Sequence, residues 1–329
     1  MKRIFARMIT ALLVMSMVLC GAAMADAAPA QEMPVSVTTG LPTNKEYTPY
    51  AVQIDNAGGA RPQVGIGQAD IIYEAEIANG GATRYTLVFN DYFPEEIMSV
   101  RSARMMHADF ASDWNAVLVH WGGQQMKGTD VYDYMSKNGI PHVDGISADR
   151  TYFYRTDKRI SPHNVVCRLR SFTETAEYGR VAEVKAPLTF DAENYTRQGE
   201  AVSLFQISYK KGYEPGYKYN PEDGLFYRFY GQEEQMDGGT GEQVAVANVI
   251  IMTAEYEYYN WEGDRPVVQM TGRNACKFFI EGQWFEGYWT RDSLEDATNY
   301  YDMEGREVVF KPGRTAIQVV RADKEIVIQ

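Results

Sequence analysis

Residues able to capture an anion or transfer a proton are concentrated in one stretch of the chain. The four histidines fall within 57 positions, and six arginines lie in that stretch or shortly before it: His107, His120, His142 and His163, with Arg84, Arg101, Arg104, Arg150, Arg155 and Arg159. The chain as a whole is acidic, with 32 Lys and Arg against 44 Asp and Glu and a net charge of −12. The sequence therefore predicts a local basic site within an acidic protein.

The segment Arg101-Ser102-Ala103-Arg104 is the clearest candidate for an anion site. It opens a predicted helix at 102–114, where free backbone N–H groups attract negative charge. Arginine is also suited to binding phosphate or carboxylate through two parallel hydrogen bonds. A second interpretation fits equally well, in which these arginines form ordinary salt bridges with Glu74, Glu76 or Asp109. The sequence leaves both interpretations open.

The segment His120-Trp121-Gly122-Gly123 ends a predicted buried strand on two glycines. Ligands often lie at such strand ends, because glycine lets them approach the backbone. His120 is therefore a candidate ligand contact or general acid–base. A hydrogen-bonded histidine with a purely structural role fits the same pattern.

A third segment runs from Tyr154 to Asn164 and contains Arg155, Arg159 and His163. Pro162 and Asn164 suit the start of a helix, which would place His163 and Arg159 near its N-terminus. Two helix starts with arginines and a histidine would form an anion pocket if they converge. The alternative is that Pro162, His163 and Asn164 form only a turn and a cap.

No known catalytic motif is present. The chain lacks G-x-S-x-G, H-E-x-x-H, a Walker loop and a strand followed by G-x-G-x-x-G. Ser208 and Lys211 match S-x-x-K, but they lie at the end of a predicted strand rather than on a helix. A metal site built from His120, His163 and a carboxylate has no local spacing signature. We therefore expect no metal and no cofactor, and we favour a protein that is not an enzyme.

The first 25 residues have the features of a signal peptide. A positive start is followed by an apolar run from Met8 to Cys20 and by an A-x-A site that ends at Ala25. The sequence predicts export, with cleavage near Ala25, to the cell envelope or the exterior. Cys20 follows Leu19 rather than a small residue, so a lipid anchor is the less favoured alternative, and membrane attachment is expected only if Cys20 is lipidated.

Hydrophobic patterning predicts the elements that must position these residues. In the first half, strands are predicted at 51–54, 71–76, 85–89 and 116–120, and helices at 102–114, about 124–137 and from about 164 to before 179. After about residue 185 the predicted elements are strands, at 202–209, 225–230, 246–252, 267–270, 277–280, 307–310 and 315–320.

The sequence thus predicts an α+β protein. Its predicted parts are a signal peptide (1–25), a flexible leader (26–45), a mixed α/β N-terminal domain (46–185) and a mostly antiparallel β C-terminal domain (186–329). Cys167 and Cys276 would form either one disulfide or two buried thiols. The acidic balance argues against a protein that coats nucleic acid, because phosphate contacts need a basic surface.

Many short motifs resemble the bacterial YerB-like envelope proteins (DUF3048), in order and over nearly all of the chain beyond the signal peptide. They are Thr39-Gly40-Leu41-Pro42, Ile54-Asp55-Asn56, Ala60-Arg61-Pro62-Gln63, Gln68-Ala69-Asp70-Ile71-Ile72-Tyr73-Glu74, Gly81-Ala82-Thr83-Arg84, Val100-Arg101-Ser102-Ala103-Arg104, His120-Trp121-Gly122-Gly123, Pro162-His163-Asn164, Asn248-Val249-Ile250, Gly287-Tyr288-Trp289 and Pro312-Gly313-Arg314-Thr315. The resemblance implies a two-part α+β envelope protein, often a lipoprotein, and implies no activity. The chain departs from the family at Leu19-Cys20 and has Ala316 where the family has tryptophan.

These observations predict a non-enzymatic envelope protein that binds an anionic ligand through its N-terminal half. Suitable ligands are a wall glycopolymer, a peptidoglycan carboxylate or a phosphorylated precursor. The predicted ligand-binding residues are Glu74, Arg84, Arg101, Arg104, His120, Arg155, Arg159, His163 and Asn164. The alternatives are a hydrolase or transferase that uses His120 or His163 as acid–base, and a scaffold that binds another envelope protein through the aromatic-rich C-terminal half.

Overall fold

A long mixed sheet forms the centre of the protein in a computed structural model that describes residues 33–175, 179–259 and 265–329. The predicted signal peptide (1–25), Cys20 and the first part of the predicted leader lie outside the described residues. None of the helices in the described part has the length and apolar composition of a membrane-spanning segment.

The first half of the chain supplies eight of the described strands and all three described α-helices. The strands are β1 (Tyr50–Asp55), β2 (Ile71–Ala78), β3 (Ala82–Phe89), β4 (Ile97–Met98), β5 (Val117–His120), β6 (His142–Asp144), β7 (Phe153–Arg155) and β8 (Val165–Cys167). The helices are α1 (Met105–Asp113), α2 (Val131–Lys137) and α3 (Leu169–Thr173), and short 3-10 turns occur at Gly58–Ala60 and Ile66–Gln68.

The second half is made of strands in the residues that the structure describes. They are β9 (Thr189–Phe190), β10 (Glu200–Ala201), β11 (Leu204–Ser208), β12 (Pro215–Asn220), β13 (Leu225–Tyr230), β14 (Glu233–Glu234), β15 (Ala245–Val246), β16 (Asn248–Thr253), β17 (Tyr256–Tyr259), β18 (Arg265–Val268), β19 (Gly272–Ile280), β20 (Gln283–Arg291), β21 (Asn299–Asp302), β22 (Val309–Phe310), β23 (Thr315–Val320) and β24 (Glu325–Ile328). The coarse α+β class therefore holds, with far more sheet than helix.

The central sheet has the order β10-β20-β19-β16-β23-β2-β3-β1-β5-β6, and β21 pairs with β20. β23 is parallel to both β16 and β2, and β1 is parallel to β5. Strands from both sides of the predicted domain boundary are thus hydrogen-bonded in one sheet. Residues 33–329 accordingly form one compact unit.

Both faces of this sheet are covered, which explains its continuous apolar strands. One face packs against α1, where Phe110 and Trp114 join the core. The other face packs against a second sheet, β14-β13-β12-β11-β24 with β15, through rings such as Phe205 and Tyr217. Every residue of β1 and β23 is consequently buried.

Two predicted helices were placed wrongly. The segment predicted as a helix at about 124–137 is helical only in α2, because Gly128 has a positive φ of 86° and Asp130 caps the helix from within the segment. The segment from 164 begins as strand β8, since the β-branched Val165 and Val166 pair with β7 and β4. Only the five residues of α3 follow as helix.

The described part of the predicted leader, residues 33–45, is an ordered strap rather than a flexible segment. Ser36, Thr38 and Thr39 are buried. The Thr38 hydroxyl donates to Asp70 at 2.9 Å, and the Thr39 hydroxyl donates to Asp91 at 2.8 Å. Carboxylates distant in sequence therefore hold this segment, a contact that the sequence of the predicted leader did not indicate.

The two cysteines of the described chain are both free and buried. Burial raises the pKa of the Cys167 and Cys276 thiols well above the ordinary value. Of the two alternatives for these cysteines, the structure contains the pair of buried thiols.

Candidate functional site

A basic pocket of about 510 Å³ opens where β1 ends and the β2–β3 hairpin turns. Four cationic side chains line it, from Arg61, Arg84, Arg101 and Lys210. Asp55 is the carboxylate among the lining residues, and His163 and Tyr213 complete the polar wall. The pocket is therefore a local concentration of positive charge in a chain with a net charge of −12.

Asp55 organises one side of the basic pocket. It lies directly opposite Arg84 in the β1–β3 register, and Arg101 Nε lies 3.0 Å from its Oδ2. Burial alone would raise the pKa of Asp55, but Arg101, Arg84 and hydrogen bonds from the Ala57 amide and His163 together lower it below the ordinary value. Asp55 is thus a fixed anion that orients Arg101.

His163 binds the same carboxylate, with its Nδ1 2.7 Å from Asp55 Oδ2. A Cβ at Gly59 would lie 2.8 Å from the His163 ring, so glycine is what lets this ring pack against the 58–60 turn. His163 precedes β8 and not a helix, which makes the predicted helix N-terminus at this position wrong. Tertiary packing, rather than a helix start, brings His163 to Arg101.

The opposite wall depends on close packing between two hairpins. Gly81 has a positive φ of 81°, and a Cβ there would lie 2.8 Å from the Tyr209 carbonyl oxygen and 2.9 Å from Lys210 Cβ. Glycine therefore lets the 209–213 turn bring Lys210 to the pocket. Arg61 lies over the Tyr230 ring, 3.9 Å from its centroid, which fixes a cation at the rim without a carboxylate.

Behind the basic pocket lies an arginine cluster formed by Arg84, Arg101, Arg104 and Arg265. Burial, followed by the charges of Arg84, Arg265 and Arg101, lowers the pKa of Arg104 to about 8. Burial and Arg101 lower the pKa of Arg84 to about 10, and Asp55 opposes this shift. No carboxylate of the described residues lies within ion-pair distance of Arg84 or Arg104. The positive charge of the cluster is only partly neutralised by the protein itself.

The cluster also contains buried hydrogen-bond donors without partners. Arg84 Nε, Arg104 Nε and His107 Nε2 are buried and make no hydrogen bond within the described part of the chain. His107 Nδ1 accepts the Arg104 backbone N–H at 3.0 Å, so the proton of the neutral ring is on Nε2. Since buried donors are normally satisfied, a water or an anion at this position would supply the acceptor that the described side chains do not.

The start of α1 also favours a negative charge beside the arginine cluster. Arg104 is the N-cap residue of this nine-residue helix. A helix N-terminus carries partial positive charge and disfavours a cation unless an anion is present. The predicted position of Arg101 and Arg104 before a helix is thus confirmed, although the helix begins three residues later than predicted. Among the described residues, none of the three predicted partners pairs with these arginines: Glu74 and Glu76 bind other cations, and Asp109 accepts a hydrogen bond from Tyr134. Arg101 does form a salt bridge, with Asp55 instead.

Arg155, Arg159 and Asn164 support the site but do not line the basic pocket. Arg159 donates to the Ala60 and Pro62 carbonyls and, at 2.9 Å, to Ser99 Oγ, so it holds the loop that carries Arg61. Arg155 donates to Asn164 Oδ1 at 2.6 Å, and Asn164 Nδ2 donates to the Thr156 carbonyl. These contacts tie Arg159 to the loop of residues 60–62 and hold Arg155, the last residue of β7, against Asn164.

His120 is a buried hydrogen-bonded histidine. Its Nδ1 lies 2.9 Å from the Gly122 carbonyl, which can only accept, so Nδ1 carries the proton. Its Nε2 then accepts from His142 Nδ1 at 3.1 Å. Burial, with a smaller effect from His142, lowers the pKa of His120 to about 4. Both ring nitrogens are occupied, an arrangement typical of a structural histidine.

Glu74 lies in the interior between the two sheets, directly behind the wall of the basic pocket, and does not line it. It forms an ion pair with Arg228, and both side chains are 0% exposed. Its carboxylate also accepts hydrogen bonds from Asn56, Thr83 and Tyr213. With its oxygens enclosed by protein donors, Glu74 contributes to the core rather than to a ligand site.

Of the predicted residues, the structure therefore brings together Arg84, Arg101, Arg104 and His163. Sequence reasoning did not select Asp55, Arg61, Lys210 or Arg265. Asp55 and Arg61 lie in short motifs of the YerB-like proteins, which could have marked them. Lys210 and Arg265 lie in the second half of the chain and carry no local signal that links them to the arginines of the first half.

Comparison with known proteins agrees with the motifs. Residues 38–182 match the family model described as "Protein of unknown function (DUF3048) N-terminal domain", and residues 205–317 match the DUF3048 C-terminal domain. A Bacillus subtilis (strain 168) protein named "Putative lipoprotein YerB" is 26% identical over 298 residues, which cover 86% of this chain and 85% of that protein.

The fold is also that of a solved structure. The crystal structure of YerB protein from Bacillus subtilis superimposes with a TM-score of 0.76 at 24% identity, over 89% of this chain and 99% of that one. Sequence and fold thus agree over both halves of the described chain. The resemblance predicted from the motifs is confirmed: the chain carries both DUF3048 domains and belongs to this family of YerB-like proteins.

Proposed function

We propose that the protein is an exported envelope protein that binds an anionic ligand in the basic pocket and the adjoining arginine cluster. The observation that carries this proposal is the set of buried arginines, Arg84 and Arg104, that lack a carboxylate partner among the described residues. A phosphate or carboxylate group would supply the missing negative charge and the missing acceptors. A wall glycopolymer, a peptidoglycan carboxylate or a phosphorylated precursor has this chemistry.

Envelope location is supported from two directions. The first 25 residues have the sequence features of a signal peptide, and the Bacillus subtilis relative is named as a lipoprotein. A ligand of the envelope would reach the basic pocket directly once the protein is exported. Binding without catalysis is favoured because His120, one of the two candidate acid–base residues, has both ring nitrogens engaged.

A hydrolase or transferase is the second candidate, and one contact favours it. His163 is oriented by Asp55, as a general base is oriented by a carboxylate. In that case Arg101, held by the same carboxylate, would stabilise negative charge that develops in the transition state. Substitution of His163 by alanine would then abolish turnover of a phosphorylated wall precursor and leave its binding measurable.

The direct test is a thermal-shift and calorimetric titration of residues 26–329 with inorganic phosphate, polyphosphate and acetate. We expect phosphate-containing anions to raise the melting temperature and bind the unmodified protein. Replacement of both Arg84 and Arg101 by glutamine should remove this effect. Arg197→Gln is a matched control, because Arg197 is exposed and lies over the Tyr195 ring away from the pocket.

Three outcomes of this titration decide whether the basic pocket binds anions. Stabilisation that is lost in the double variant and kept in the control supports the anion site. Equal stabilisation of all three proteins shows general salt effects and contradicts the proposal. The absence of any stabilisation or heat of binding contradicts it as well.

A further inference from the structure

A second groove, of about 780 Å³, lies on the outer face of the sheet formed by β11, β12 and β13. It shares no lining residue with the basic pocket. Its volume falls within the range of about 300–1,000 Å³ that is usual for small-molecule sites. The outward side chains of the three strands form its floor, since the alternate residues Phe205, Tyr217 and Phe226 face the core.

Aromatic rings form the centre of this floor. In the sheet register Gln206 lies beside Gly216, which lies beside Phe229. A Cβ at Gly216 would lie 2.6 Å from Phe229 Cζ, so the Phe229 ring lies across the bare backbone of this glycine. Tyr227 follows on the same face of β13, about 7 Å along the strand, and its hydroxyl donates to Asp223 at 2.6 Å. Two rings are therefore held in place side by side.

Around the rings the groove is rich in amides and poor in charge. Gln206, Asn220, Gln232, Gln243 and Gln329 line it, whereas Lys218 has the single cationic side chain and Glu234 the single acidic side chain among its lining residues in the described chain. Amides both donate and accept hydrogen bonds, which suits a ligand covered with hydroxyl groups. The near absence of charge contrasts with the basic pocket and does not suit a phosphate.

The geometry points to an uncharged oligosaccharide as the occupant, and we infer that this groove is a glycan-binding site. A pyranose ring has an apolar C–H face, which packs on the negative face of an aromatic ring, and an equatorial belt of hydroxyls, which bond to amides. An extended peptide fits less well, because β11, β12 and β13 each pair with strands on both sides and leave no free backbone edge.

The test is calorimetric titration of residues 26–329 with three neutral hexasaccharides: chitohexaose, cellohexaose and maltohexaose. We expect at least one to bind with millimolar or stronger affinity. Phe229→Ala should weaken that binding by at least tenfold. Phe229→Leu keeps most of the volume but removes the aromatic face, and it should lose binding with a melting temperature close to that of the unmodified protein.

Gln206→Leu should weaken binding through loss of an amide. Tyr301→Ala is the control, because Tyr301 is a partly exposed ring that stacks on Tyr288 outside the groove. The inference is overturned if none of the three sugars binds at concentrations up to about 10 mM. It is also overturned if Phe229→Leu and Gln206→Leu bind as tightly as Tyr301→Ala. The outcome is independent of the basic pocket, since phosphate binding is measured separately.

Discussion

Replacement of Arg104 by methionine should stabilise the ligand-free protein and at the same time remove its response to phosphate. Removal of a buried arginine usually destabilises a protein, because a partner is left unpaired. Arg104 has no carboxylate partner among the described residues, and its side chain lies at the positive end of α1. Methionine has a similar length and removes the charge, so the folded state no longer has to accommodate it.

The magnitude follows from the environment of Arg104. Burial and the neighbouring arginines lower its pKa from 12.5 to about 8, and one pKa unit corresponds to about 1.4 kcal/mol. Because the guanidinium stays charged at neutral pH, the folded protein bears this cost. Methionine also loses the hydrogen bond from Nη1 to the Ala103 carbonyl, 2.8 Å long and worth about 1.5–3 kcal/mol. The free energy of unfolding should rise on the order of 3 kcal/mol, or roughly 5–10 °C in melting temperature.

The assay is urea unfolding in a phosphate-free buffer and in phosphate, followed by tryptophan fluorescence. Arg228→Met is a matched comparison, since Arg228 is also fully buried but is paired with Glu74. Its removal leaves Glu74 buried without a counterion, so this variant should lose about 3–5 kcal/mol. Phosphate should stabilise Arg228→Met, if it folds, and should not stabilise Arg104→Met.

The reasoning would be refuted if Arg104→Met unfolded at a lower urea concentration than the unmodified protein in phosphate-free buffer. That result would mean that Arg104 has a stabilising partner and that its charge is compensated within the protein. Equal phosphate stabilisation of both proteins would also refute it. Arg84→Met should shift in the same direction as Arg104→Met but by less, because the pKa of Arg84 is lowered only to about 10.

Three further outcomes are expected. Glu74→Gln should lower the unfolding free energy by about 3–5 kcal/mol in urea, because Arg228 is left buried without a counterion, and an unchanged urea midpoint would contradict this pairing. Burial, and then Asp91, raise the pKa of Asp70 to about 7, so its protonated form is favoured in the folded state. The stability that this group contributes is fully present below about pH 4 and is lost as the pH rises through 7, and the free energy of unfolding changes by up to about 1.4 kcal/mol per pH unit. In urea unfolding, Asp70→Asn should lack this pH dependence. If the variant kept the pH dependence of the unmodified protein, Asp70 would be ionised throughout this range. Gly81→Val should lower the melting temperature and weaken phosphate binding, because the valine side chain would meet the Tyr209 carbonyl and the position has a positive φ. A variant with the melting temperature and phosphate affinity of the unmodified protein would contradict the close approach of residue 81 to Tyr209.

The pattern of apolar residues predicted most of the central strands. The structure has β23, a strand of the central sheet, at its predicted bounds, 315–320. Such strands can be predicted from the sequence, because a strand that is buried on both faces requires a run of apolar residues whichever strands it pairs with. The two misplaced helices show the limit of the same signal. A short apolar run such as Val165 and Val166 fits either a strand or a helix, and strand partners from elsewhere in the chain decided it.

The composition of the candidate site was partly visible in the sequence, and its assembly was not. Four of the nine predicted residues meet at the basic pocket and arginine cluster, and Arg159 holds the adjoining loop. The meeting of His163 with Asp55 joins residues 108 positions apart, and no periodicity encodes such a contact. Glu74 shows the converse, because its acidic type suited a site while the sheet packing enclosed it with Arg228.

The sequence by itself therefore determined the family, the principal strands and the position of Arg101 and Arg104 directly before α1, since each of these depends on residues close together in the chain. Only the tertiary structure decided which charges are paired. Sheet order places β23 between β16 and β2 and so joins the two halves of the chain. Packing of the second sheet on the central one places Arg228 against Glu74, whereas Arg84 and Arg104 are left with unsatisfied positive charge because no described acidic side chain reaches ion-pair distance of them.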